Sequence, residues 1–224
     1  MAAAMSASAR PACLSSTCLS PPSSRGAHTA PWTSRVDVPH PCRGRNRFVP
    51  RAAASGDAPG VSLVAEPLTK EAFAPFGQIA RPEEDGVEFG PDDAQLDLSR
   101  GTPRFYIMRL RDKTMSFDTI TFHAQVTQCL GALGDQPWYM AVSAPTKDVE
   151  KFPRREDLKV FKIPPGVFVK MHAATWHAGP LWDAANGPKS MDFYNLELSD
   201  TNAVDHNTHV FSDVDDIVYD VIDD

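Results

Sequence analysis

The first 56 residues contain no lysine and a single acid, Asp37. The chain has four cysteines, and three of them (Cys13, Cys18 and Cys42) fall in that same stretch, so everything after it keeps one thiol, Cys129. A single cysteine excludes an intrachain disulfide and a cysteine-only zinc centre there. Within Val126-Thr127-Gln128-Cys129-Leu130 it reads as a small buried apolar residue. No run approaches the roughly 20 apolar residues that a membrane-spanning helix needs. There is no secretory h-region and no repeat of solenoid type.

What the first 56 residues do contain is seven arginines, nine serines and seven prolines. An acid-poor, Arg- and Ser-rich segment with no apolar periodicity reads as a disordered transit peptide. The Ala/Ser-rich start and the Arg51-Ala52-Ala53-Ala54 junction point to the chloroplast, with the mitochondrion as the alternative. Without this leader, Lys+Arg falls from 22 to 15 and Asp+Glu from 29 to 28, so the formal charge moves from −7 to about −13. So acidic a body repels nucleic acid and anionic membrane surfaces and leaves a small molecule as the expected partner. Residues 57–224 are long enough for one domain with its own core.

That domain reads as mainly β. Thr69 is placed to cap a short helix from Lys70 to Phe76, ended by Gly77. Strands are expected at Val61–Ala65, Arg104–Leu110, Phe117–His123, Trp138–Val142, Leu158–Ile163, Val167–Met171 and Met191–Leu198. Turn residues separate them, including Gly134-Asp135, Pro164-Pro165-Gly166 and Gly179-Pro180. The acidic tail, Asp213 to Asp224, suits either an edge strand or a short helix. Many short strands with few helices suggest a jelly-roll β-barrel with a ligand site in its mouth.

The candidate chemistry centres on Pro165 to Trp182, where His172 and His177 sit five residues apart in apolar β-type sequence. His123 shares a strand face with Thr119 and Thr121. Met191–Leu198 puts Asn195 and Glu197 on one face with Phe193, where burial would make Glu197 an acid/base candidate. Arg109, inside an apolar strand, should pair with an acid or bind an anion such as a substrate carboxylate. Lys170, beside His172, is a second such cation. His206 and His209 read as solvated or capping residues of a polar loop.

Several runs resemble the plant branch of the ureidoglycolate lyase family. They are Ala94–Gly101, Pro103–Arg109, Val126–Gly131, Thr175-Trp176-His177-Ala178-Gly179-Pro180-Leu181 and Met191–Leu198. The resemblance implies a cupin-like barrel, usually a homodimer, that cleaves ureidoglycolate to glyoxylate and urea in allantoin and purine breakdown. By position it carries over His123, His172 and His177. For that reaction His172 or His177 is the expected base and Glu197 the other catalytic candidate, with Arg109 or Lys170 holding the substrate carboxylate, Trp176 walling the pocket and Asn195 binding beside them. A divalent metal, nickel by resemblance, would be held by His123 and His172. Ala124 and Gln128 stand where bacterial members carry further ligand types, so the metal set is incomplete and a metal-free site is the alternative. A non-catalytic small-molecule-binding cupin, or an enzyme for another small carboxylic acid, are the competing functions.

Overall fold

A computed structural model describes residues 60–146 and 151–224. Contacts group the chain into units 1–52 and 53–224, and every described residue lies in the second. The transit-peptide expectation for 1–56 falls outside the described residues.

The elements in order are β1 (Val61–Pro67), α1 (Lys70–Phe73), β2 (Gly77–Ala80), β3 (Pro103–Arg111), β4 (Ser116–Phe117), β5 (Thr119–Phe122), β6 (Gln128–Leu133) and β7 (Trp138–Ser143). After a 3₁₀ turn at Arg155–Asp157 come β8 (Lys159–Ile163), β9 (Phe168–Met171), β10 (Trp176–Leu181), β11 (Ser190–Leu198), α2 (Thr201–Val204), β12 (Asn207–Val210), α3 (Phe211–Val214) and β13 (Tyr219–Ile222). They form an eight-stranded sheet, β12-β5-β10-β7-β8-β1-β13-β4, facing a five-stranded sheet, β2-β9-β6-β11-β3. The sheets curl into a half-barrel, the mainly β architecture expected from the strand pattern. No described helix is long and apolar enough to cross a membrane.

Alternation along the strands decides what faces inward. Leu130, Val169, Met171, Met191 and Phe193 of the small sheet pack on Trp138, Met140, Val142, Phe161 and Ile163 of the large one. The large sheet's other face carries a second core, in which Ile120, Phe122, Ala141, Val160, Trp176 and Ala178 meet Phe211, Tyr219 and Val221. Fully burying each of the large side chains contributes about 1.5–3 kcal/mol. The chain's last segment holds both elements: α3 is followed by β13, which is no edge strand but lies between β1, its parallel partner, and β4. Thr69 does cap the helix, accepting from the Ala72 amide at 3.2 Å, but the α-helix stops at Phe73 rather than Phe76.

The middle of the sandwich is apolar, whereas one end of it is polar. His123 follows β5, His177 lies on β10 directly opposite Thr121, and Gln128 opens β6 beside Asn195 and Glu197 of β11. All point between the sheets, which makes this end the natural mouth of a pocket.

Candidate active site

The histidines at this end are set by main-chain carbonyls. His123 is buried, and its Nδ1 lies 2.6 Å from the Asp205 carbonyl oxygen. A carbonyl only accepts, so Nδ1 carries the proton and Nε2 keeps a free lone pair. His177 repeats the arrangement, with Nδ1 3.1 Å from the Thr175 carbonyl oxygen. The two ring centres are 5.2 Å apart, and the exposed ring of His206 lies 5.5 Å from His123. Burial lowers the pKa of His123, against the opposing pull of the Asp205 carbonyl and the negative charges of Asp205 and Glu197. It holds His177 down to about 3, with neighbouring His123 adding to the effect. His177 keeps a sliver of surface on the pocket, yet its surroundings desolvate it fully.

Asp205 organises this end from the loop after β11. Its carboxylate accepts the amides of Ala124 (2.9 Å) and Gln125 (2.7 Å), fixing the turn that presents His123.

Glu197, 1% exposed, is the centre of a buried network. It accepts from Gln128 Nε2 at 3.2 Å, Asn195 Nδ2 at 3.1 Å and Asn202 Nδ2 at 3.4 Å. Arg104 stands 3.6 Å from its other side, with its guanidinium 3.6 Å above the Tyr106 ring. The Glu197 oxygens are thus taken up as acceptors by these donors.

His123, Val126, Gln128, Met171, His172, Thr175 and His177 border a cleft of about 140 Å³. It is a narrow cleft rather than an open cavity. A wider hollow elsewhere, lined by Tyr139, Trp182 and Met191 among others, contains no histidine. Its Asp223 is committed to Tyr139 and Lys162, each at 2.6 Å.

The residues singled out from sequence divide sharply. His123, His177, Asn195 and Glu197 come together, and His172 reaches the rim. His172, however, spends both nitrogens: Nδ1 faces Lys170 Nζ at 3.1 Å and Nε2 faces the Ala74 carbonyl oxygen at 3.3 Å. With Nε2–H donating and Nδ1 accepting, no lone pair remains for a metal or a substrate proton. Lys170 shares a face with Gln78 and Cys129, opposite to the core-facing Met171, and so points away from the cleft. Burial lowers its pKa. Arg109 points outward from β3 and makes a two-pronged pair with Asp192, both contacts at 2.7 Å. It has the acid partner expected of it, but on the outer surface. Trp176 lies on the opposite face of β10 from His177, 4.5 Å from Phe122 between ring centres, with Nε1 donating to Thr146 at 2.8 Å. It belongs to the second core and does not wall the cleft.

Sequence reasoning missed Gln128 and Arg104; His206 is exposed, as its solvated reading expected, yet its ring lies beside His123. His209, expected as a solvated or capping residue, is instead packed, stacked on Phe152 at 3.7 Å. The metal expectation was tested against the donor set. Among the described residues, no three His, Cys, Asp or Glu side chains stand where one ion could be held by all of them. With His172 already engaged, the described residues do not gather the donor set of a resident divalent ion.

A curled two-sheet half-barrel that gathers two carbonyl-anchored imidazoles and a hydrogen-bonded carboxylate at one end has the make-up of a small-molecule site. The chain belongs to the ureidoglycolate lyase family, whose profile matches residues 61–218. No curated protein matches it. Among solved structures, it is similar to a crystal structure of vicilin from Corylus avellana (hazelnut). That similarity is 9% identity, with a TM-score of 0.31 over 59% of this chain and 39% of that one. The chain thus spans well under half of the vicilin chain.

Proposed function

We propose that the protein is a ureidoglycolate lyase, splitting ureidoglycolate into glyoxylate and urea. The observation that carries this, within the family, is the pair of neutral imidazoles at the mouth, each with a bare Nε2 facing the same cleft. The substrate is a hemiaminal whose central carbon bears a hydroxyl, a ureido nitrogen and a carboxylate. His123 Nε2 takes the hydroxyl proton. The electron pair left on oxygen closes the aldehyde C=O of glyoxylate and expels the ureido nitrogen. That nitrogen leaves as urea on taking the proton back from the same ring. Glu197 and Asp205 favour the transient imidazolium at His123. At His177, burial opposes the charge, so this ring accepts a hydrogen bond and holds the substrate. Arg104, 44% exposed on its side chain and 3.6 Å from Glu197, is the cation assigned to the substrate carboxylate.

Purified protein given ureidoglycolate is expected to release urea and glyoxylate above the spontaneous rate. Dialysis against a chelator is expected to leave that rate unchanged, because the donors do not converge on one point. A rate equal to background sinks the reading. The proposal extends to the chloroplast, checked by where a reporter fused to residues 1–56 accumulates. It extends also to a homodimer, checked by light scattering. Phe105 and Ile107, 64% and 57% exposed on the edge strand β3, are apolar surface that a second copy would cover.

Stability should fall with acidity. The unfolded chain takes a proton at His177 near pH 6.5, one that the folded protein refuses until about pH 3. Lowering the pH below 6.5 therefore draws the equilibrium toward the unfolded state, by on the order of 2 kcal/mol at pH 5 from this ring alone. Thermal melts at pH 7.5 and pH 5 should diverge in wild type and converge in His177→Gln. Parallel behaviour of the two proteins would contradict the assignment.

A further inference from the structure

The orientation of Gln128 is imposed on it. Its Nε2 donates to Asn195 Oδ1 at 3.1 Å and to Glu197 Oε2 at 3.2 Å. Both of those atoms only accept, since the Asn195 amino group is turned to Glu197 Oε2 at 3.1 Å and to Tyr106 Oη at 3.0 Å. A flipped Gln128 would set its oxygen against a carboxylate and another amide oxygen. Oε1 is therefore held on the opposite side, buried and with no hydrogen-bond partner. Gln128 borders the histidine cleft.

Everything around that cleft accepts and nothing is free to donate. His123 and His177 have given their Nδ1–H to main-chain carbonyls. Thr175 has given its hydroxyl proton to the Phe76 carbonyl oxygen at 2.8 Å. His172 gives its Nε2–H to the Ala74 carbonyl oxygen. Val126 and Met171 are apolar. A buried acceptor left unmade is costly, and only a ligand bearing N–H or O–H groups satisfies three acceptors at once.

Resting on the lyase reading and naming what its pocket selects, we propose that Gln128 Oε1, together with Nε2 of His123 and His177, forms a receptor for ligand N–H groups. Gln128 is then the specificity residue that distinguishes a terminal ureido NH₂ from a methyl group of the same size.

The test is calorimetric and needs no turnover. Ureidoacetate carries the carboxylate and the terminal NH₂ without the scissile hydroxyl; N-acetylglycine has a methyl in place of that NH₂. Wild-type full-length protein should bind ureidoacetate about 10- to 100-fold more tightly than N-acetylglycine. Gln128→Leu and Gln128→Met should erase most of that preference by weakening ureidoacetate alone. Equal affinities in wild type, or equal losses for both ligands in the variants, would overturn the proposal. So would tight binding of Ni²⁺ alone that depends on Gln128 and blocks ureidoacetate, since the acceptors would then serve a cation. If both variants fail to fold, the wild-type ligand pair decides. Preserved discrimination without urea release would sink the lyase reading and leave the receptor standing; urea release without discrimination would do the reverse.

Discussion

Replacing His123 by alanine is expected to lower kcat for urea release by about 10²- to 10⁴-fold, the usual contribution of a positioned general base. The ring is buried, its Nδ1 is anchored 2.6 Å from a carbonyl oxygen, and its Nε2 faces the cleft. Of the two imidazoles at the mouth, it is the one whose charged form the negative charges of Asp205 and Glu197 favour. His177, held down to about 3, lacks that support. His177→Ala should therefore act first on KM, as loss of a binding contact does. A kcat for His123→Ala within threefold of wild type, in a folded protein, would remove His123 from the chemistry.

Glu197→Ala is the substitution expected to cost the most stability at the site. It removes the shared acceptor of Gln128, Asn195 and Asn202; one buried N–H each of Gln128 and Asn195 is left unmatched, while the exposed Asn202 amide turns to water. Unsatisfied buried donors cost about 1–3 kcal/mol each before relaxation, so a loss of about 3 kcal/mol is expected. In a domain of this size that lowers Tm by about 6–12 °C. Glu197→Gln retains one oxygen and should lose roughly half as much. An unchanged Tm for Glu197→Ala would show that the network does not depend on its carboxylate.

The strands most legible in the sequence were those with regular alternation or dense apolar content, such as β3, β7, β8 and β11. Two others were hidden by their glycines. In β6, Gly131 reads as a turn residue, yet it lies in mid-strand because the Phe168 ring packs over it; an added Cβ would stand 2.6 Å from that ring. In β10, Gly179-Pro180 reads as a turn, whereas the strand continues through it with a shift in register between Ala178 and Leu181. The site was half legible for a related reason. Arg104–Leu110 is apolar on both faces, so its sequence does not say which face Arg109 takes, and β3 turns Tyr106, Met108 and Leu110 inward instead. Trp176 and His177 are neighbours on one strand, so only one of them can face the cleft. His206 sits in a segment that looks wholly polar, and its role depends on a loop path that local pattern does not encode.

That loop couples two histidines that look independent in the sequence. Asp205 grips the His123 ring through its carbonyl oxygen and the following turn through its carboxylate, while the next residue in the chain, His206, lies over the same ring. The spacing between them is therefore set by a single peptide unit rather than by the barrel. Lengthening or shortening the segment between Leu198 and Asn207 would displace both rings together and leave the sheets intact. Redesign of this mouth can proceed by exchanging one short connection, with the strands kept as a fixed frame.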